Sequence, residues 1–280
     1  MHPAGDYVHL NGQTVRAEEA RISPFDAGLL RAYAVFDLLQ TLGGKPYMLA
    51  EHLQRFHNSA DQLGLKIPAS DEEIEAIILD LLERNGHAEA TVRLVLTGGE
   101  SPDGMHFDPD TPTFFIVTHE LFQVPEVTYE KGGRLLTVQH CREFPEAKTT
   151  NYLTWLAHHP RIEEEGALDL LYHDGTTISE AATASVYVVK CATIYAPAEG
   201  VLWGTVGARV LELAAEEFEV VRGPVALEQL LDADEVFLTS SVRDVVPITL
   251  IDDQPVGDGD VGPITRRLME LYRKHRDSHR

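Results

Sequence analysis

Lysine is scarce in this 280-residue chain, and one of its six lysines, Lys148, stands in the polar and aromatic stretch EFPEAKTTNYLTW. A lysine amine does covalent chemistry when desolvation or a neighbouring cation favours its neutral form. Glu143 and Glu146 offer the plainer alternative of a surface ion pair. Three further segments carry residue types of chemical interest. In DGTTISEAATASVYVV, Glu180 precedes the small residues Ala181, Ala182, Thr183, Ala184 and Ser185. Small side chains let a flat ligand approach, and a glutamate beside it could hold a protonated ring nitrogen. In GVLWGTVGARVLELA, a glycine-containing turn opens a helix at Thr205 and Val206, where backbone N–H groups can bind a phosphate. Gly204 and Gly207 would permit close approach. In EVFLTSSVRDVVPI, Thr239, Ser240 and Ser241 follow a strand and suit phosphate oxygens. Taken singly, a loop glutamate, an ordinary helix start and a polar turn account for these three as well.

Such residues need elements to position them. YVHLNGQTVRAEEARI predicts two strands around Asn11-Gly12, a type I′ hairpin signal. The spacing of Leu53, Phe56, Ala60 and Leu63 predicts a helix over 50–63, and SDEE caps another over 71–85. ATVRLVLTGG and TPTFFIVTHEL read as strands, while THELFQVPEV lacks periodicity and reads as a linker. Beyond it come a strand in RLLTVQHC, a helix over 151–165, strands in TASVYVVK and ATIYAP, and an amphipathic helix over 205–219. A helix in ALEQLLDA, a strand in EVFLTS and a final helix in VGPITRRLMELYRKHRD complete the order. Hairpins mixed with helices argue for an α+β class in two domains, not one doubly wound parallel sheet. The expected division is a small α/β domain over 1–118, a linker over 119–125 and a larger domain over 126–280.

Composition bounds the partners. The chain has 45 acidic against 23 basic residues, a formal charge of −22, which repels nucleic acid backbones and anionic lipid. Adaptation to high salt and the generally acidic surface of a protein from a GC-rich genome explain this charge equally. No apolar run reaches the ~20 residues of a membrane span. MHPAGDYVHLNGQ lacks the basic and apolar regions of a signal peptide. Cys141 and Cys191 form no CxxC pair. A cytoplasmic protein without disulfides is expected. His158-His159, with His140 and Cys141, have the wrong spacing for ligands, so no metal is expected.

In their order and spacing, the four segments resemble the fold-type IV pyridoxal-phosphate (PLP) enzymes, the class IV aminotransferases. HLQRF resembles that family's H-x-x-R motif. The likeness runs from about Asn11 to the final helix, and it implies the two-domain fold-type IV architecture. It also implies that Lys148 forms the Schiff base with PLP and shuttles the proton, and that Glu180 keeps the pyridine nitrogen protonated. Arg55, Ser240 and Ser241, with the amides of Thr205 and Val206, would bind the phosphate, and Tyr152 would lie near the oxygen bordering the imine. Ser185 replaces an asparagine common in the family, and GTVG replaces a common G-I-T-R.

Substrate choice needs a carboxylate clamp, and Arg31 in GLLRAYAVFDLL and Arg93 in ATVRLVLTGG stand out. An arginine inside a strand demands a partner if buried. That partner could be a substrate carboxylate or a protein carboxylate such as Asp37. Both segments resemble a less common branch of D-amino-acid transaminases in which two arginines bind the substrate α-carboxylate. That likeness implies transfer between D-amino acids such as D-glutamate or D-alanine and 2-oxo acids such as 2-oxoglutarate. Phe36 is a further candidate substrate contact, His106 matches a histidine of the familiar bacillus-type D-amino-acid members whose arginine has no counterpart here, and the family resemblance implies a homodimer. Alternatives on the same fold are a branched-chain L-amino-acid aminotransferase, an (R)-amine transaminase and an aminodeoxychorismate lyase. A non-catalytic relative is disfavoured because Lys148 and Glu180 are both present.

Overall fold

The computed structural model describes residues 5–121 and 123–279, so the first four residues and Phe122 of the expected linker lie outside the described residues. The chain forms two compact units, Met1–Phe122 with Ala147–Asn151, and Gln123–Glu146 with Tyr152–Arg280. Residues 147–151 therefore fold with the first unit although the second flanks them in sequence. Among the described residues, no helix is long and apolar enough to cross a membrane.

The first unit runs β1 (Tyr7–Leu10), β2 (Gln13–Arg16), α1 (Ala27–Arg31), β3 (Ala34–Leu42), β4 (Lys45–Pro46), α2 (Leu49–Gln62), α3 (Asp71–Asn85), β5 (Ala90–Thr97) and β6 (Thr113–Glu120). Its strands form an antiparallel sheet in the order β2-β1-β6-β5-β3-β4. The β1–β2 turn has φ 47° at Asn11 and 83° at Gly12, the positive pair a type I′ turn demands. Ser70 and Glu73 close a reciprocal capping box at the start of α3. One sheet face, with Val35, Leu39, Val92 and Leu94, packs on Leu53 and Phe56 of α2 and Ile74 and Ile78 of α3. Successive side chains of a strand alternate in face, so Asp37 shares the helix-covered side. Phe36 and Leu38 take the other, and Arg93, opposite Leu38 in the β3–β5 register, takes it with them. His119 and Glu120 extend β6 into the expected linker.

The second unit continues with α4 (Glu126–Lys131), β7 (Gly133–Gln139), α5 (Leu153–Glu164), β8 (Asp169–His173), β9 (Thr177–Ala181), β10 (Ser185–Lys190), β11 (Thr193–Pro197) and α6 (Thr205–Ala214). It ends with β12 (Glu219–Gly223), β13 (Val225–Ala226), α7 (Leu227–Leu231), β14 (Glu235–Ser240), β15 (Asp244–Ile251), β16 (Gln254–Pro255) and α8 (Pro263–Asp277). The sheet mixes parallel pairs, β11 with β12, β15 with β7 and β7 with β8, with antiparallel hairpins such as β14–β15. This is the α+β pattern and not a doubly wound parallel sheet. α6 stops at Ala214, five residues short of the periodic segment, and residues 219–223 pair as a strand instead.

Candidate active site

Residues 147–151 lie beside β3 as a short extra strand. Phe36 N donates to Lys148 O at 2.9 Å, Thr150 N to Ala34 O at 3.1 Å, and Lys148 N to the Ser59 hydroxyl at 3.0 Å. The backbone of Lys148 is thus fixed by β3 and α2, and its Nζ stands 4.8 Å from the centre of the Phe36 ring. Arg93 Cζ lies over the same ring at 5.2 Å, so the two cations are separated by at most the sum of these distances, 10.0 Å. Arg93 is exposed, which corrects the expectation of a buried strand arginine: its side of the sheet is the one α2 and α3 leave uncovered. Its side chain makes no hydrogen bond or ion pair among the described residues.

Arg31 ends the short helix α1 and is also exposed, donating to the carbonyl of Leu30 at 2.8 Å. A Cβ on Gly104 would stand 3.4 Å from its Nη2, so Arg31 rests on the 101–106 loop. His106 lies on that loop, with Nδ1 2.6 Å from Asp103 Oδ2. The candidate substrate residues therefore fall into two groups, Phe36 and Arg93 with Lys148, and Arg31 with the loop of His106.

Asp37 is not the partner of either arginine. It is 1% exposed and faces α2, where Arg55 donates through Nε and Nη2 at 2.8 Å each and His52 Nδ1 lies at 2.7 Å. Histidine and arginine three positions apart share a helix face, which is why both halves of HLQRF reach one carboxylate. Burial alone would push the Asp37 carboxyl up, but Arg55 and His52 reverse this and hold it well below the usual carboxylate range. Burial lowers the His52 pKa against the pull of Asp37, which keeps the ring neutral. Arg55, expected to meet a phosphate, thus has a protein carboxylate fixing two of its nitrogens.

In the second unit, Glu180 is 4% exposed, and Arg142 Nε lies 2.9 Å from its Oε1. The contact is close enough for an ion pair, yet not aligned as a hydrogen bond. Leu202 N donates to Glu180 Oε2 at 3.3 Å. Arg142 also lies over the rings of Tyr152 and Tyr172, at 5.6 and 5.8 Å, and donates to Ala182 O at 2.6 Å. Burial works against the Arg142 charge, but Glu180, with the two tyrosines, leaves its pKa raised. Burial raises the Tyr152 phenol, assisted by Glu180 and opposed by Arg142, and pushes Tyr172 up to about 12. Arg142 gives no signal in sequence, being a lone arginine in a polar stretch 38 positions before its partner. Arg142→Gln would leave the Glu180 charge buried without a cation and should destabilise the fold by about 3 kcal/mol in chemical denaturation. Adding Glu180→Gln should recover part of that loss.

The first turn of α6 has no side-chain cap, so the N–H groups at its start are offered by the backbone alone. Gly204 and Gly207 permit close approach of the sheet. A Cβ on Gly204 would meet Ser185 Oγ at 2.7 Å, and one on Gly207 would meet Tyr187 Oη at 2.0 Å and Thr239 Oγ1 at 2.9 Å. Ser185 pairs with Thr239 across β10 and β14, so Thr205, Val206 and the half-buried Ser240 and Ser241 gather at one end of that pair. The Ser240 hydroxyl accepts from Arg243 N and Nε at 3.2 and 3.4 Å. Arg243 is held in turn by Thr183 and the fully buried Asp169. The sequence gives no signal for Asp169 or Arg243 here, because the contacts of Arg243 with Thr183 and Asp169 span 60 and 74 positions.

Residues 34–251, more than half of the chain, match the family described as amino-transferase class IV. The chain belongs to the class IV aminotransferases. It is 32% identical to a putative branched-chain-amino-acid aminotransferase of Methanocaldococcus jannaschii, with 95% of each chain covered. It is 28% identical to a D-alanine aminotransferase of Staphylococcus epidermidis, covering 97% of this chain and 98% of that one. Among solved structures, a T.th. branched-chain amino acid aminotransferase with pyridoxamine 5'-phosphate superposes with a TM-score of 0.87 at 28% identity, covering 99% of this chain and 95% of that one.

Class IV aminotransferases depend on PLP, and this aminotransferase has the donor types the cofactor needs. Backbone N–H groups at a helix start beside serine hydroxyls suit a phosphate. A buried carboxylate backed by a guanidinium suits a protonated ring nitrogen.

Proposed function

We propose that this aminotransferase moves amino groups between D-amino acids, D-glutamate and D-alanine among them, and 2-oxo acids such as 2-oxoglutarate. The observation that carries this reading is Arg93: an exposed guanidinium with no hydrogen bond or ion pair among the described residues, sharing the Phe36 ring with Lys148, in a chain of net charge −22. With acid so abundant, an arginine left unpaired is suited to an anion that arrives from solution. Its planar fork matches a carboxylate. Arg31 and the loop of His106 add a second cationic group on the same unit.

Bound PLP supplies an electron sink for the charge that develops at the substrate α-carbon. Lys148 Nζ would anchor the cofactor, accept the α-proton as a free amine and return it from the ammonium form. Glu180, backed by Arg142, would hold a proton on the ring nitrogen. Tyr152 would border the same ring. Thr205 and Val206 N–H, the hydroxyls of Ser240 and Ser241, and Arg55 would bind the phosphate. Arg93 and Arg31 would orient the α-carboxylate, with Phe36 and His106 beside it. Exposed Phe25 and Leu29 support a homodimer, and the cytoplasm is the proposed location.

Mixing the holoenzyme separately with D- and L-glutamate, and following the cofactor's absorbance, tests the substrate assignment. A change with D-glutamate is expected; a change with the L enantiomer alone would overturn the assignment. Arg93→Ala should raise the KM for D-glutamate about tenfold or more, because charge-assisted hydrogen bonds are worth about 1.5–3 kcal/mol. A branched-chain L-amino-acid aminotransferase is the second reading, favoured by the 32% identical archaeal relative.

A further inference from the structure

We infer that Phe36 is a positioning residue for the substrate carboxylate: its ring stacks the Arg93 guanidinium and holds it at a fixed spacing from Lys148. The inference rests on the reading of Arg93 as a carboxylate clamp and adds what aims that clamp.

Three contacts meet at Phe36. Its backbone N–H donates to Lys148 O at 2.9 Å, its ring centre is 4.8 Å from Lys148 Nζ, and Arg93 Cζ lies over the ring at 5.2 Å. Phe36 itself is 6% exposed and lies in the middle of a three-strand stretch, with β5 on one side and the 147–151 segment on the other. An exposed arginine with no hydrogen bond or ion pair would otherwise sample many rotamers and lose entropy on meeting a ligand. Stacking on an aromatic face removes part of that freedom without occupying the guanidinium N–H groups, which lie in the guanidinium plane. A carboxylate partner would fix the arginine equally well but would fill the fork and oppose a second anion. The ring restrains the cation and leaves its hydrogen-bonding edge available. Since the same residue bonds to the Lys148 backbone, amine and clamp are referenced to one rigid point on β3.

The test measures binding of propionate, a carboxylate with no amino group, to the holoenzyme through the shift of the cofactor's absorbance band, with propionamide as the uncharged control. Phe36→Leu keeps an apolar side chain but removes the π face. It should weaken propionate about two- to fivefold, the range of an exposed cation–π contact, and leave propionamide unchanged. Phe36→Tyr keeps the face and should bind propionate as the wild type does. Phe36→Leu combined with Arg93→Ala should bind propionate no more weakly than Arg93→Ala alone, because no guanidinium remains to aim. Effects that multiply in the double variant, or a Phe36→Tyr loss equal to that of Phe36→Leu, would overturn the inference while leaving the clamp intact. If Arg93→Ala alone leaves propionate binding unchanged, the clamp reading itself falls.

Discussion

Lys148→Ala is expected to abolish amino transfer, lowering the rate by roughly 10³-fold or more, since in the proposed roles it removes both the covalent anchor and the group that moves the α-proton. The Lys148 backbone is tied to Phe36 and Ser59, and Arg93, the other cation at the Phe36 ring, stays protonated and cannot act as a base. Lys66 and Lys190 are engaged by Asp110 and by Asp232 and Asp234 at the surface. Borohydride reduction of the holoenzyme followed by peptide mapping should place the cofactor's mass on EFPEAKTTNYLTW and nowhere else. Label on the peptide of Lys66 or Lys190, or an active Lys148→Ala enzyme, would sink the assignment.

What could be read from sequence divides along the range of the interactions. The Asn11-Gly12 hairpin and the Ser70–Glu73 capping box are local: the residues that adopt the geometry also supply the hydrogen bonds or the positive φ. Both follow from a few letters. The face taken by each β3 residue does not. AVFDLLQTL is apolar on both sides of Asp37, with eight of its nine residues buried, so alternation gives no clue to whether Phe36 or Asp37 looks toward the helices. The assignment is settled by α2, whose His52 and Arg55 reach Asp37 from 15 and 18 positions away. The same choice of face turns Arg93 outward. The glycines of GTVG show a related ambiguity. A short sequence reveals that something approaches closely, yet the approaching atom, Tyr187 Oη, belongs to a strand 20 residues upstream. Lys148 and Glu180 could be singled out because their neighbours form motifs; Arg142 and Arg243, which brace the candidate site, have only distant partners.

Acid should weaken the first unit in two separate steps, and the buried group of Asp37, His52 and Arg55 explains both. The folded pKa of His52 lies below its usual value, so below about pH 6.5 the unfolded chain binds the extra proton. Stability contributed by the neutral ring is therefore lost as the pH falls from there. Asp37 is also depressed, which makes its contribution complete above the unfolded carboxyl pKa of about 4 and lost progressively below it. Urea midpoints at pH 7, 5.5 and 3.5 should fall in that order. His52→Gln should flatten the change between pH 7 and 5.5, and Asp37→Asn the change below pH 4. Asp37→Asn should also cost about 3–5 kcal/mol at pH 7, because the Arg55 charge, on a side chain only 10% exposed, would lose its counter-ion. A pH 7 midpoint unaffected by Asp37→Asn would show that Arg55 finds another anion, and would remove the ion pair from the account of how α2 is held to the sheet.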